Sequence, residues 1–204
     1  MDIILITPEG NFQNEHELIN SFFEAGLPTL HIRKPNFSEL ELEEYLKKID
    51  ETYYERIILH QHFTLVDEFD LKGYHLKEAI RKNVDFGALN LNKSLSASYH
   101  DLDELKSASD KLDYVFLSPI FKSISKKGYP GKFDLFDVKE TLPQLDTKVF
   151  ALGGVKFDKK DALQFCGFQG MCLLGDIWYS SEPIESLKKY LRYLPIPSDL
   201  DLDF

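Results

Sequence analysis

Eight short apolar, β-branched runs alternate with segments of helical periodicity along 204 residues, which predicts an α/β fold of the (β/α)8 TIM-barrel type in one domain. Three observations carry that reading. Strand-like and helix-like segments alternate throughout, and parallel strands need a crossover of just this kind. Eight repeats favour closure into a barrel over an open doubly wound sheet, which stands as the alternative fold. The length suits one domain, since a barrel of this type needs about 200 residues at its smallest.

The strand-like runs are Ile3–Thr7, Thr29–Arg33, Arg56–His60, Gly73–Leu76, Ser94–Ser98, Tyr114–Leu117, Lys148–Leu152 and Gly170–Leu174. Gly26 marks the end of the first helix. After the second run, Ser38 and Glu41 have the three-residue spacing of a capping box. Leu42, Tyr45, Leu46 and Ile49 then fall on one helical stripe. Leu89–Leu91 competes with Ser94–Ser98 for the fifth strand. Asp101 opens a further helix with Glu104 in its first turn. Pro183 suits the start of the last helix, whose apolar face is Ile184, Leu187, Leu191 and Leu194. The barrel is therefore placed at residues 1–194. An acidic tail, 195–204, is expected on the surface or against a second subunit, so a homo-oligomer is among the expectations.

Composition narrows the function classes. Apolar residues make up 43% of the chain, with 16 Phe and 10 Tyr, enough for a substantial core. The net charge of −10 argues against a general nucleic-acid surface, which needs cations for the phosphates. No apolar run approaches membrane-spanning length, and the apolar start at Ile3–Ile6 is too short for a signal peptide. Cys166 and Cys172 lack metal-site spacing and read as core residues in a reducing, cytoplasmic setting.

Chemistry in such barrels sits where the strands end. The polar residues there are Arg33, Lys34, His60, Gln61, His75, Lys77, Ser98, His100 and Ser118, then the loop around Ser123, Ser125 and Lys126, and the glycines Gly153, Gly154 and Gly175. Cations and glycines dominate this set in an acidic chain, which points to a small anionic ligand. Gly153, Gly154 and Gly175 follow the seventh and eighth strands, where barrels of this class bind phosphate on bare backbone N–H groups; ordinary turn glycines are the alternative. Ser123, Ser125 and Lys126 offer hydroxyl and ammonium donors. His60, His62 and His75 raise a metal site, but no carboxylate accompanies them at the strand ends.

On those residues the chain resembles the thiamine phosphate synthase superfamily, including its thiazole tautomerase (TenI-like) branch. The pieces that carry the resemblance are His75-Leu76, Ser98-Tyr99-His100, Asp113-Tyr114 leading to Ser118-Pro119-Ile120-Phe121, Ser123-x-Ser125-Lys126, Ala151-Leu152-Gly153-Gly154-Val155, and Gly167 with Gly170. The resemblance implies a transferase that joins a pyrimidine pyrophosphate to a thiazole phosphate with Mg²⁺. Thiazole phosphate would then sit on Gly153, Gly154 and Gly175, and pyrophosphate would meet Arg33, Ser123, Ser125 and Lys126, with Lys34 beside Arg33 as a further phosphate-binding candidate from its place at the strand end.

This sequence departs from the family pattern at the metal. Around Leu59-His60 and after His75-Leu76, the two aspartates associated with Mg²⁺ are absent, which leaves Glu78 as the nearest carboxylate candidate. Pro119 stands where the tautomerase branch carries its catalytic histidine, so His75, His60 and His100 become the candidate bases. Three readings remain: a divergent thiamine-biosynthetic synthase or tautomerase-like isomerase, a phosphate-binding or regulatory barrel without catalysis, and an unrelated sugar-phosphate enzyme on the same fold.

Overall fold

The computed structural model describes residues 1–108, 110–121 and 132–193. Eight parallel strands run in chain order around a closed barrel, which rules out the open sheet. They are β1 (Asp2–Ile6), β2 (Leu30–Ile32), β3 (Ile57–Leu59), β4 (Gly73–Leu76), β5 (Ser94–Tyr99), β6 (Tyr114–Leu117), β7 (Lys148–Ala151) and β8 (Gly170–Leu173), and β8 closes on β1 through Asp2↔Gly170 to Leu5↔Leu173. Every strand named from sequence lies within two residues of its observed span. The competing Leu89–Leu91 segment is not a strand. It follows a short 3₁₀ turn at Phe86–Ala88 that Asp85 caps from its side chain, and Ser94–Tyr99 pairs into the barrel instead.

The helices are α1 (Glu15–Glu24), α2 (Glu39–Leu46), α3 (Thr64–Glu68), α4 (Glu78–Arg81), α5 (Leu102–Lys106), α6 (Leu135–Thr141), α7 (Lys160–Phe165), α8 (Gly175–Trp178) and α9 (Pro183–Leu191). Their ends follow the sequence signals. Both halves of the capping box form at Ser38 and Glu41, and Asp101 accepts from the backbone N–H groups of Asp103 and Glu104. Leu42, Tyr45, Leu46 and Ile49 are all buried. Leu194 and the expected tail lie outside the described residues.

Strand alternation sorts the side chains into two cores. Ile3, Leu5, Leu30, Ile32, Leu95, Ala97, Val115 and Leu117 face outward and pack with the helices. The inward set includes Ile4, Ile6, Tyr114, Phe116, Phe150 and Cys172. The aromatic half of this inner core lies on β6 and β7. Facing it, β2 to β5 supply polar side chains.

Candidate active site at the barrel mouth

The polar side of the barrel interior is built from imidazoles and hydroxyls. On β2, Leu30 and Ile32 belong to the outer core, so strand alternation turns His31 inward. His60 follows β3 directly, and His75 is the third residue of β4. These histidines are 0%, 3% and 0% exposed, in that order.

His31 Nδ1 lies 3.0 Å from His60 Nε2, and His31 Nε2 lies 2.7 Å from the Tyr114 hydroxyl. His75 sits between two serines of β5, with Nδ1 2.9 Å from Ser96 Oγ and Nε2 2.7 Å from Ser98 Oγ. Its ring stacks on His60 at 4.2 Å and on Phe116 at 4.5 Å between centroids. Burial holds all three imidazoles neutral at ordinary pH. His31 and His60 are pushed well below the usual histidine range and His75 down to about 3, with neighbouring imidazoles and cations adding to the effect.

Above this neutral floor stands a cationic rim. Arg33, just past β2, pairs with Glu9 from the segment after β1, and its backbone N–H donates to Thr7 Oγ1 at 2.9 Å. Lys77 follows β4, and its pKa is lowered by burial and then by Arg33, with Glu9 acting the other way. The positive charges of Arg33 and Lys77 both reach His60 and His75.

Across the barrel, Gly153 and Gly154 follow β7 after Leu152, at φ 92° and 64°. A Cβ at Gly153 would lie 2.8 Å from Pro119 Cβ, so only glycine fits this approach. The Gly153 carbonyl accepts from Phe121 N–H at 2.9 Å. Among the described residues, neither the Gly153 nor the Gly154 N–H meets an acceptor. Gly175 opens α8, immediately after β8 and Leu174.

Other sequence candidates fall elsewhere. Lys34 is a correction. It is 0% exposed, and its ammonium bonds both Glu15 carboxylate oxygens at 2.7 and 2.8 Å and the Gly10 carbonyl at 2.8 Å. Tyr45 donates to the same carboxylate at 2.8 Å. All the donors of Lys34 are thus committed to holding α1, α2 and the β1–α1 segment together. His62 does not share a site with His60. It sits at φ 52°, and its Nε2 lies 2.8 Å from the Phe37 carbonyl. His100 Nδ1 lies 2.9 Å from the Ser118 carbonyl, which ties it to the loop after β6. Ser123, Ser125 and Lys126 lie outside the described residues.

Among the described residues, those at the mouth do not suit Mg²⁺, which wants several hard oxygen donors. Glu78 bonds Lys82 at 2.6 Å one turn along α4. Glu9 is paired with Arg33, Asp101 caps α5, and Asp176 accepts from the Tyr190 hydroxyl at 2.5 Å. Among the described residues, the cluster of potential metal donors is His31, His60 and His75.

A sequence profile described as "Thiamine monophosphate synthase" matches residues 3–177. The chain belongs to the thiamine monophosphate synthase and TenI-like family. A solved structure described as thiamine phosphate pyrophosphorylase from Bacteroides thetaiotaomicron is 32% identical, with a TM-score of 0.79, over 94% of this chain and 96% of that one. A thiamine-phosphate synthase from Methanobrevibacter smithii is 21% identical over 90% of this chain and 91% of its own. A thiamine phosphate pyrophosphorylase from Pyrococcus furiosus, 17% identical with a TM-score of 0.75 over 94% of each chain, shares the fold.

Sequence reasoning missed His31. It lies inside the Thr29–Arg33 run rather than at a strand end, and its partners are 29 and 83 positions away. The signal that could have found it was alternation. Leu30 and Ile32 read as helix-facing, which leaves His31 no direction but inward.

Proposed function

We propose that this chain is a thiamine phosphate synthase-like transferase that binds a thiazole phosphate and joins it to a pyrimidine pyrophosphate. The observation that carries the proposal is the pairing of two anion-receptive rims on opposite sides of one barrel mouth. Gly153 and Gly154 offer two N–H groups with no acceptor among the described residues beside β7, and Gly175 adds a third position after β8. Arg33 and Lys77 stand after β2 and β4. A phosphate at the glycines and a pyrophosphate at the cations would put the reacting ends of two anionic substrates over the centre of the mouth, where proximity alone lowers the barrier substantially.

In this reading the chain's own cations stabilise the pyrophosphate as it leaves. His75 is held in orientation by Ser96 and Ser98, and the buried imidazoles of the floor stay neutral beneath the two anions. No step is assigned to Mg²⁺, because its oxygen donors are not present at the described mouth. A tautomerase-like isomerase is the second reading. It is favoured by one observation, a cluster of three imidazoles beneath the mouth in place of carboxylates among the described residues.

The test is thiamine phosphate formation from the two substrates, read by fluorescence after oxidation, with Mg²⁺ and with a chelator. Product in both arms supports the cation-driven reading, and product only with Mg²⁺ locates a metal that the described mouth does not supply. Folded protein that binds thiazole phosphate in calorimetry yet forms no product would refute the transferase and leave the isomerase. Absence of binding would refute both. Gly154→Val should weaken thiazole phosphate binding about tenfold or more through loss of a backbone contact worth roughly 1.5–3 kcal/mol.

A further inference from the structure

We propose that His31, His60 and His75 form a transition-metal site of the Zn²⁺ class inside the barrel, beneath the mouth. β2, the residue directly after β3, and β4 each bring one imidazole to the same region, and one ring nitrogen from each lies within 4.8 Å of the others. Two imidazole nitrogens on one tetrahedral Zn²⁺ at about 2.0–2.1 Å stand roughly 3.4 Å apart. His31 Nδ1 and His60 Nε2 are already 3.0 Å apart, so a metal between them needs only a small opening of that pair. The third nitrogen comes from His75, which releases one serine and keeps the other.

The surroundings fit a ligand set. A metal-bound imidazole is fixed in orientation when its second nitrogen donates to an oxygen. With Nδ1 on the metal, His31 Nε2–H points at the Tyr114 hydroxyl, 2.7 Å away. His75 has Ser96 on one side and Ser98 on the other, so either nitrogen can bind metal while the other still donates to a hydroxyl. Phe116 packs against His75 and His31 and shields the donors from water.

The donor chemistry selects the ion. Three neutral nitrogens and no carboxylate suit a borderline-soft divalent ion and not Mg²⁺ or Ca²⁺. Three protein ligands leave one tetrahedral position for water or a substrate atom, on the side of the mouth where His60 is 3% exposed. Arg33 and Lys77 oppose a divalent charge here, and Glu9 offsets Arg33 in part. An anion at the rim would remove that opposition, so metal and phosphate ligands should bind each other's complexes more tightly. This inference stands whether or not the chain transfers a thiazole, because metal binding is read without substrates.

The experiment titrates tag-free, chelator-stripped full chain with Co²⁺ and then Zn²⁺. The expected result is visible d–d bands of tetrahedral intensity that saturate at one equivalent and disappear as Zn²⁺ displaces Co²⁺. The bands should be lost in His31→Gln and His60→Gln, with folding checked by circular dichroism, and kept in His62→Gln. X-ray absorption on the Zn²⁺-loaded wild type should show three imidazole scatterers, a readout that needs no variant. Absence of bands in the wild type, bands that survive in folded His31→Gln, or fewer than three imidazoles around zinc would each overturn the site.

Discussion

Lowering the pH of the metal-free protein from 7 to 5 should remove an unusually large share of its stability, and the three barrel histidines set the size of the effect. Their folded-state pKa values lie below the ordinary value of about 6.5, to which they return on unfolding. Between those limits the unfolded chain binds more protons than the folded one, so stability falls as pH falls. The loss begins near pH 7 and for His75 continues to about pH 3. For a group that stays neutral in the folded state, integrating from pH 7 to 5 gives about 2 kcal/mol, so three give about 6 kcal/mol. A domain has roughly 5–15 kcal/mol in total, so the barrel should approach unfolding near pH 5. Carboxylates with depressed pKa values, such as Glu104 and Asp101, act at lower pH and act equally in variants. The assay is urea unfolding across this range for wild type and His75→Gln. The variant should lose about 2 kcal/mol less than wild type between pH 7 and 5. Equal slopes would refute the reasoning, since they would mean that His75 is already protonated in the fold or is neutral in both states.

Other perturbations test separate parts of the structure. Glu15→Gln leaves the Lys34 ammonium buried against a neutral partner and should cost about 3–5 kcal/mol in urea unfolding, whereas replacing Glu15 and Lys34 together with apolar residues should cost less. Gly153→Ala places a methyl 2.8 Å from Pro119 Cβ at a φ that L residues rarely adopt, so it should lower stability by about 1–3 kcal/mol and weaken thiazole phosphate binding in calorimetry. Ser38→Ala removes the hydroxyl half of the capping box of α2, leaving the Glu41 carboxylate on the backbone N–H of residue 38, and should cost about 1 kcal/mol in thermal unfolding with no change in ligand affinity.

The fold was legible because its signals are local and repeated. Each strand announces itself in four or five residues, and helix ends are written in single residues such as Ser38, Asp101 and Pro183. Parallel alternation then leaves few topologies. The site was legible only where position implies role. Gly153 and Gly154 follow β7, a turn that in barrels of this class frequently binds phosphate, and the structure shows their positive φ and a close approach to Pro119 at Gly153.

What stayed hidden depends on pairings across the sheet. Lys34 looks from sequence like a second rim cation beside Arg33, and only the fold shows Glu15 and Tyr45 closing over it. The His60-x-His62 pair suggests two ligands on one face, yet the positive φ at His62 turns it to the Phe37 carbonyl and leaves His60 alone in the barrel. The true neighbours of His60 are His31 and His75, each on its own strand. Three separate residues, each unremarkable in its run, meet because β2, β3 and β4 are adjacent and parallel in a register that sets His31 against Ile58 and Leu59 against Tyr74. That register lifts His60 to the level of His75 and brings His31 against both from one strand away, with its Nε2 turned to the Tyr114 hydroxyl on the opposite wall. Changing any one of the three would leave the barrel recognisable in sequence and dismantle the cluster. The features by which such a chain is placed in its family are therefore largely independent of those that set its inner chemistry.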